Sequence, residues 1–276
     1  MPELPEAETI AQELSAQLTG KRLGKVLVLR PDIVHGSPQP LGKLLSGRRI
    51  RSVHRRAKRV ILTLTPPAEL IFCFGMSGRI RVCPANAPVE PHTHLRIKLS
   101  GSTRELRFRD PRRFGGVWCL AGGKSHVGRK LGPLGPEPLP MTPAEFQQVI
   151  SRRRQIKALL LDQRLIAGLG NIYCDEALHA AGIHPLTQAG ALDAVATRRL
   201  LRAIKSTLRH AIRMNGSTLT DYLRTDGRRG SFQKYHRVYQ HVGKPCRSCG
   251  TVIERLIVAG RSTFVCTVCQ PLPVAE

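Results

Sequence analysis

Residues 94–109 read His94-Leu95-Arg96-Ile97-Lys98-Leu99, then Ser100-Gly101-Ser102-Thr103, then Arg104-Glu105-Leu106-Arg107-Phe108-Arg109. Apolar and charged side chains alternate through both halves. A period of two puts Leu95, Ile97 and Leu99 on one face of a strand and Arg96 and Lys98 on the other; Leu106 and Phe108 oppose Arg107 and Arg109 in the same way. Around this stretch lie further short runs of strand type: Lys25–Arg30, Ile50–Arg55, Arg59–Thr65, Leu70–Phe74, Arg79–Cys83 and Val117–Leu120. Many short strands at regular spacing predict a β-sandwich or barrel. A helix is expected before them, over residues 2–19. There Ala7, Ile10, Ala11, Leu14 and Leu18 recur at spacings of three and four, and Gly20 is placed to end it.

Beyond the strands the pattern changes. Residues 121–141 are rich in Gly and Pro and read as a hinge. Thr142-Pro143-Ala144-Glu145 then opens a helix, with Thr142 as cap, Pro143 at the first helical position and Glu145 completing a capping box. Helical patterning runs on to about residue 214, broken at Ala167-Gly168-Leu169-Gly170-Asn171, at Gly182 with Pro185, and at Gly190. Residues 216–240 are polar and weakly periodic, which reads as a mobile loop.

Composition narrows the function. Across 276 residues, 44 Lys and Arg face 19 Asp and Glu, a net charge of +25. So large an excess repels itself unless a polyanion shares it, and nucleic acid bound through its phosphates is the natural partner. Apolar runs such as Leu70–Phe74 and Ala158–Leu161 fall far short of the ~20 residues a membrane span needs. Glu3, Glu6 and Glu8 replace the basic start of a secretory signal, so an intracellular protein is expected. That compartment disfavours disulfides. Cys73, Cys83 and Cys119, in strand-like runs, read as small buried hydrophobes.

Four cysteines stand apart. Cys246-Arg247-Ser248-Cys249 is followed, sixteen residues later, by Cys266-Thr267-Val268-Cys269. Two such knuckles supply four thiolates for one tetrahedral zinc, with Gly250 placed to complete the first turn. A four-thiolate site has no open coordination position, so the zinc is expected to be structural. Val252–Val258 and Thr263–Val265 can form a hairpin between the knuckles, with Arg261 in its turn.

The chain opens Met1-Pro2-Glu3-Leu4-Pro5-Glu6-Ala7-Glu8-Thr9. Removal of Met1 would leave Pro2 as a secondary amine, partly unprotonated near neutral pH. Its attack on a carbonyl-level carbon such as sugar C1′ gives a permanently cationic iminium, a strong electron sink for elimination. Glu3 beside it could protonate the sugar ring oxygen. Equally, proline and acids at a helix start are ordinary helix chemistry, and the opening alone leaves both readings standing.

This opening resembles that of the formamidopyrimidine-DNA glycosylases, bacterial enzymes for 8-oxoguanine and ring-opened purines. The resemblance continues, in order, through Arg55-Arg56-Ala57-Lys58, Gly75-Met76-Ser77-Gly78, Asp110-Pro111-Arg112-Arg113-Phe114-Gly115, Gly135-Pro136-Glu137-Pro138-Leu139, Gly168-Leu169-Gly170-Asn171-Ile172-Tyr173, Ala181-Gly182-Ile183-His184-Pro185 and the zinc ribbon with Arg261. It implies an α+β multidomain fold. An N-terminal helix and β-sandwich form a catalytic domain over 1–130, a helix–two-turn–helix domain spans 131–225, and a lesion loop with the four-cysteine zinc ribbon spans 226–276, DNA lying across the cleft between the halves. It implies a monomeric, bifunctional glycosylase and AP lyase of base excision repair, acting on damaged double-stranded DNA. Pro2 would be the nucleophile and Glu3 the general acid. Lys58 would serve β-elimination and Arg261 δ-elimination. Asn171, His92, Arg112 and a basic residue near Arg152 match DNA contacts, and Lys157 is a further basic residue that could face the cleft. Met76, Arg112 and Phe114 match the trio that fills the space left by a flipped nucleotide. Residues 217–237 match the loop that closes over the extruded base, and Arg228-Arg229-Gly230-Ser231-Phe232-Gln233-Lys234-Tyr235 is unusual there.

Two other readings stand beside it. Endonuclease VIII, the sister family for oxidised pyrimidines, shares Pro2-Glu3, but Leu4, the Arg-Arg-Ala-Lys motif and Asp110–Gly115 favour the purine enzyme. A non-catalytic zinc-ribbon nucleic-acid-binding protein fits the charge and the cysteines, but gives no reason for Pro2-Glu3, Lys58 and Arg261 to occur together.

Overall fold

A computed structural model describes residues 2–36, 39–121 and 132–272. The chain forms two compact units, Met1–Gly132 with Met214–Gln233, and Pro133–Arg213 with Lys234–Glu276. Met1 and residues 122–131 of the expected 121–141 hinge lie outside the described residues, as does the 130/131 domain boundary.

In the first unit, helix α1 (Leu4–Leu18) carries the expected apolar stripe. Leu4, Ala7, Ile10, Ala11, Leu14 and Leu18 are all buried, and Gly20 follows the helix at φ +83°. Burying each Leu or Ile side chain contributes about 1.5–3 kcal/mol, so packing rather than propensity holds this helix. Among the described residues nine strands follow: β1 (Leu23–Val28), β2 (Val34–His35), β3 (Arg49–Arg56), β4 (Arg59–Thr65), β5 (Ala68–Cys73), β6 (Arg79–Pro84), β7 (Thr93–Leu99), β8 (Arg104–Arg109) and β9 (Gly116–Ala121). They make two sheets, in the orders β1-β7-β8-β6 and β2-β9-β5-β4-β3. The alternation at 94–109 works as expected. Leu95, Ile97, Leu106 and Phe108 face a core shared with Leu62, Leu70, Phe72 and Val117 of the other sheet and with α1, and the Phe72 and Phe108 rings meet at 5.7 Å. This is the predicted β-sandwich. All eight expected strand runs are present; β2 and the short helix α2 (Leu41–Leu45) are additional.

Residues 214–233 belong to this first unit although the sequence reading divided them between the helical domain and the zinc segment. Tyr222 enters the sandwich core and donates to the Asn215 carbonyl at 3.0 Å, while Glu13 of α1 binds Arg224 and Thr225. The stretch expected to be a mobile loop is therefore tied down by side chains.

The second unit holds helices α3 (Pro143–Ile150), α4 (Ile156–Leu161), α5 (Asn171–Ala181) and α6 (Ala194–Arg213), and a hairpin of β10 (Glu254–Val258) and β11 (Arg261–Val265). The Thr142 cap and its box with Glu145 are formed as expected. Helix α6 buries Leu200, Leu201, Ile204 and Leu208 and exposes Arg198, Arg202 and Arg209. Among the described residues no helix is long and apolar enough to cross a membrane.

Candidate active site and nucleic-acid interface

The N-terminus of α1 is built as a reciprocal pair of hydrogen bonds. Glu3 is the N-cap; its carboxylate accepts the Glu6 amide, and its own amide donates to Glu6 Oε2 at 2.8 Å. Pro2 and Glu3 are both buried, Glu3 only 4% exposed. Glu6 is nearly sealed from solvent and its second oxygen accepts the Ser217 amide at 2.7 Å. One carboxylate thus fixes both the Pro2-Glu3 turn and the start of the 217–237 segment. The sequence reading gave Glu6 no such role, because its partner lies 211 residues away.

Lys58 sits half-buried in the tight turn joining β3 to β4. Ala57 before it adopts φ +54°, a left-handed conformation costing a residue with a Cβ about 1–2 kcal/mol. Arg55 offsets that strain: it donates to the Ala57 carbonyl at 3.0 Å and to Glu8 of α1 at 2.7 Å, tying the Lys58 turn to the helix that carries Pro2.

Met76, Arg112 and Phe114 come together. The turns at 74–78 and 110–115 press backbone on backbone: a Cβ on Gly75, itself at φ +52°, would lie 2.4 Å from the Phe114 carbonyl carbon. Asp110, wholly buried, holds both turns. It accepts from Ser77 Oγ at 2.5 Å and from the Gly115 amide at 2.8 Å, while Ser77 Oγ accepts the Arg112 amide at 3.1 Å. The Asp110 amide donates to the carbonyl of His92, which is exposed at φ +65°. Met76 and Phe114 are left 40% and 63% exposed, a costly position for large apolar groups, and the Arg112 guanidinium lies 4.8 Å from the Phe114 ring centre. The two packed turns, 74–78 and 110–115, therefore present Arg112 together with two exposed apolar side chains, Met76 and Phe114.

In the second unit the four cysteine Sγ atoms lie within 4.8 Å of one another, with Cys249 and Cys266 at 3.3 Å and Cys246 and Cys269 at 3.8 Å. Four Zn–S bonds of about 2.3 Å in a tetrahedron place sulfurs about 3.8 Å apart, so the donor set fits one structural zinc. Gly250 completes the first knuckle at φ +80°, and the Ser248 amide points at Cys246 Sγ, 3.4 Å away. Between the knuckles, Ala259 and Gly260 turn the hairpin with positive φ at both positions, leaving Arg261 exposed as the first residue of β11.

Asn171 opens α5 after Gly170. Its Nδ2 donates to the Ser262 carbonyl at 2.8 Å and its Oδ1 is buried without a partner. Arg152 is exposed and donates to the Gln148 carbonyl at 2.9 Å, closing the end of α3. Lys157 differs from expectation. It is fully buried, its Nζ lying 2.6 Å from Asp175 Oδ1 and donating to Thr263 Oγ1 at 2.7 Å and to the Ser262 carbonyl at 3.3 Å. A buried ammonium needs a full set of partners, and these have claimed it, so Lys157 has nothing left for a phosphate. The charge that reads as a DNA contact instead fastens the hairpin to α5. Burial pushes the Asp175 carboxyl up to about 7, against the opposing pull of Lys157.

The sequence model of the formamidopyrimidine-DNA glycosylase N-terminal domain matches residues 1–117, that of the family's helix–two-turn–helix domain residues 134–222, and that of the zinc finger found in these enzymes and in IleRS residues 243–272. Formamidopyrimidine-DNA glycosylase of Chloroflexus aggregans is 44% identical over 276 residues, covering 99% of each chain, and that of Herpetosiphon aurantiacus is 43% identical, covering 98% of this chain and 100% of its own. Among solved structures, the MutM (Fpg) protein of Thermus thermophilus is similar at TM-score 0.87 and 40% identity over 98% of both chains. Lactococcus lactis Fpg in complex with DNA containing an abasic site is similar at TM-score 0.91 and 33% identity, over 98% of this chain and 100% of that one.

Proposed function

The chain belongs to the formamidopyrimidine-DNA glycosylase family, and from that premise we propose how its residues divide the work. It is a base-excision-repair enzyme that removes oxidised purines, 8-oxoguanine and formamidopyrimidines, from double-stranded DNA and then cleaves the strand as an AP lyase. One structural zinc holds the C-terminal hairpin.

Pro2, freed of Met1, attacks C1′ of the damaged nucleotide. The N-glycosidic bond breaks and the base departs with its electron pair. Glu3 gives the ring oxygen a proton, the sugar opens, and an iminium joins Pro2 to C1′. The iminium draws electrons as a proton leaves C2′, and the 3′ phosphate departs in β-elimination; a second elimination releases the 5′ phosphate. Lys58 serves the first elimination and Arg261 the second, both also gripping phosphates. Met76 and Phe114 wedge the opened step while Arg112 reaches the orphaned base. His92, Arg152 and Asn171 contact the backbone. Lys157 leaves that set, being buried. A single chain acts as a monomer, and the +25 charge favours a place in the cytoplasm on the nucleoid.

The observation that carries these assignments is the buried Pro2-Glu3 turn, whose carboxylate and backbone are fixed by Glu6 and leave little conformational freedom beside the nucleophile. The test is a base-excision panel across oxidised purines, oxidised pyrimidines and all four opposite bases, run with wild type and Glu3→Gln. Release of oxidised purines opposite cytosine, abolished by Glu3→Gln, is expected. A preference for oxidised pyrimidines would move the enzyme to the sister specificity.

A further inference from the structure

On the outer face of the β1-β7-β8-β6 sheet, arginine sits opposite arginine. Ile80 and Val82 of β6 and Leu106 and Phe108 of β8 enter the core, so the alternating Arg79, Arg81, Arg107 and Arg109 point the other way. In the antiparallel register Arg79 faces Arg109 and Arg81 faces Arg107. Like charges directly opposed on a sheet destabilise it. All four line one cavity of about 380 Å³, with Glu90 and Asp226 as its carboxylates. Its other wall is the 223–227 stretch, where the Cβ position of Gly227 lies 3.9 Å from Arg81 Nη2.

The internal partners do not balance these cations. Arg107 is fully engaged, by Glu105 at 2.5 Å and by the carbonyls of Pro88 at 2.7 Å and Ala87 at 2.8 Å. Arg224 is engaged by Glu13 at 2.5 Å, with Asp226 at 3.6 Å. Arg79 gives its Nε to the Asp221 carbonyl, a neutral acceptor. Arg81 and Arg109 share the single carboxylate of Glu90, at 2.6 and 3.5 Å. Arg81 Nε is buried with no partner, and an unsatisfied charged donor costs more than a neutral one, of which the penalty is already about 1–3 kcal/mol. Burial, and next the Arg109 charge, push the Arg79 guanidinium down, the direction of a cation short of negative charge.

We propose that this cavity is a phosphoanion-binding site, in which Arg79, Arg81 and Arg109 take the oxygens of a phosphate-bearing ligand. Guanidinium forks suit phosphate because two parallel N–H donors match two oxygens. The phosphate comes either from the backbone of bound DNA or from a free nucleotide-type anion. Since 223–227 forms one wall, occupancy braces that segment against β6. The site is separate from the chemistry at Pro2 and stands whether or not the residue roles above are right.

The test is isothermal titration with inorganic pyrophosphate at physiological salt on the zinc-loaded protein. One saturable site is expected, weakened at least tenfold in Arg81→Ala/Arg109→Ala and unchanged in Arg198→Ala, an exposed arginine of the other unit. Glu90→Gln removes the competing carboxylate and is expected to tighten binding several-fold, a gain that misfolding cannot produce. Absence of a saturable site, or equal binding in wild type, Arg81→Ala/Arg109→Ala and Glu90→Gln, overturns the proposal. Repeating the titration on Glu3→Gln protein saturated with lesion duplex separates the two sources. If DNA supplies the phosphate, the pyrophosphate signal disappears and the arginine variant lowers the salt slope of DNA binding by about 0.9 per phosphate lost. If a free anion is the ligand, pyrophosphate still binds beside DNA.

Discussion

Replacing Lys157 with Met keeps the volume of the stem and removes the ammonium, leaving Asp175 alone in a fully buried place. Breaking one partner of a buried pair typically costs about 3–5 kcal/mol. Here the lower end applies at mildly acidic pH, because the Asp175 carboxyl is already raised to about 7 by burial and rises further once the Lys157 charge is gone. It meets the loss by taking up a proton. A carboxyl whose folded value exceeds its unfolded one, about 3.9, contributes stability below that unfolded value and loses it as pH rises through the folded value. The variant should therefore lose about 3 kcal/mol near pH 6 and progressively more above neutrality, by up to about 1.4 kcal/mol per pH unit. The local reporter is the Phe264 amide, which donates to Asp175 Oδ2 at 3.1 Å. A loss of about 3 kcal/mol lowers its hydrogen-exchange protection roughly 150-fold, and the deficit relative to wild type should widen with pH. The double variant Lys157→Met/Asp175→Leu should recover part of the global stability in a denaturant titration, since an apolar pair of similar volume is often as stable, but not the Phe264 protection, because the amide loses its acceptor. If Phe264 protection were unchanged while the salt slope of DNA binding fell by about one unit, Lys157 would be a phosphate contact after all and its burial would be mistaken.

Other outcomes follow from the same geometry. Asp110→Ala strands the Ser77 hydroxyl and the Gly115 amide, bonds to a charged group worth about 1.5–3 kcal/mol each. It should reduce the preference for lesion over undamaged duplex by tenfold or more, with the salt slope unaltered in a binding titration. Cys249→Ser should lose zinc and disorder the Glu254–Val265 hairpin while α1 and the sandwich stay folded. Elemental analysis with amide NMR checks this; zinc retained at one per chain would contradict it.

The sandwich was legible because several of its strands alternate apolar and polar side chains, as at Leu95–Leu99, where Leu95, Ile97 and Leu99 are buried and Lys98 is exposed. Strand β2, two residues long, and α2, little more than one turn, carry no period and could not be read. The zinc site was legible because all four ligands lie in two local turns. Lys157 was misread for the opposite reason: its partners Asp175 and Thr263 lie eighteen and 106 residues downstream, and in a chain of net charge +25 a buried lysine looks like any other. The polar 216–240 stretch suggested mobility because its composition offers no core. What holds it are Glu6 and Glu13, acids of α1 whose reach across the fold no local pattern reveals. Pro2 and Glu3 stand between these cases. Their residue types fit both helix capping and amine catalysis, and the capping box at Glu3 is real. That box engages the Glu3 carboxylate and amide, not the nitrogen of Pro2, which is the group the proposed chemistry requires.

The central claim, that Pro2 is the covalent catalyst, is tested most directly by borohydride trapping. Protein with Met1 removed is incubated with an 8-oxoguanine duplex, reduced with borohydride, digested, and the cross-linked peptide is sequenced by mass spectrometry. The account predicts a sugar adduct on the nitrogen of Pro2 in the peptide beginning Pro2-Glu3-Leu4, and no adduct when an N-terminal extension turns that amine into an amide. An adduct on Lys58 instead, or full trapping with the N-terminus blocked, would contradict it.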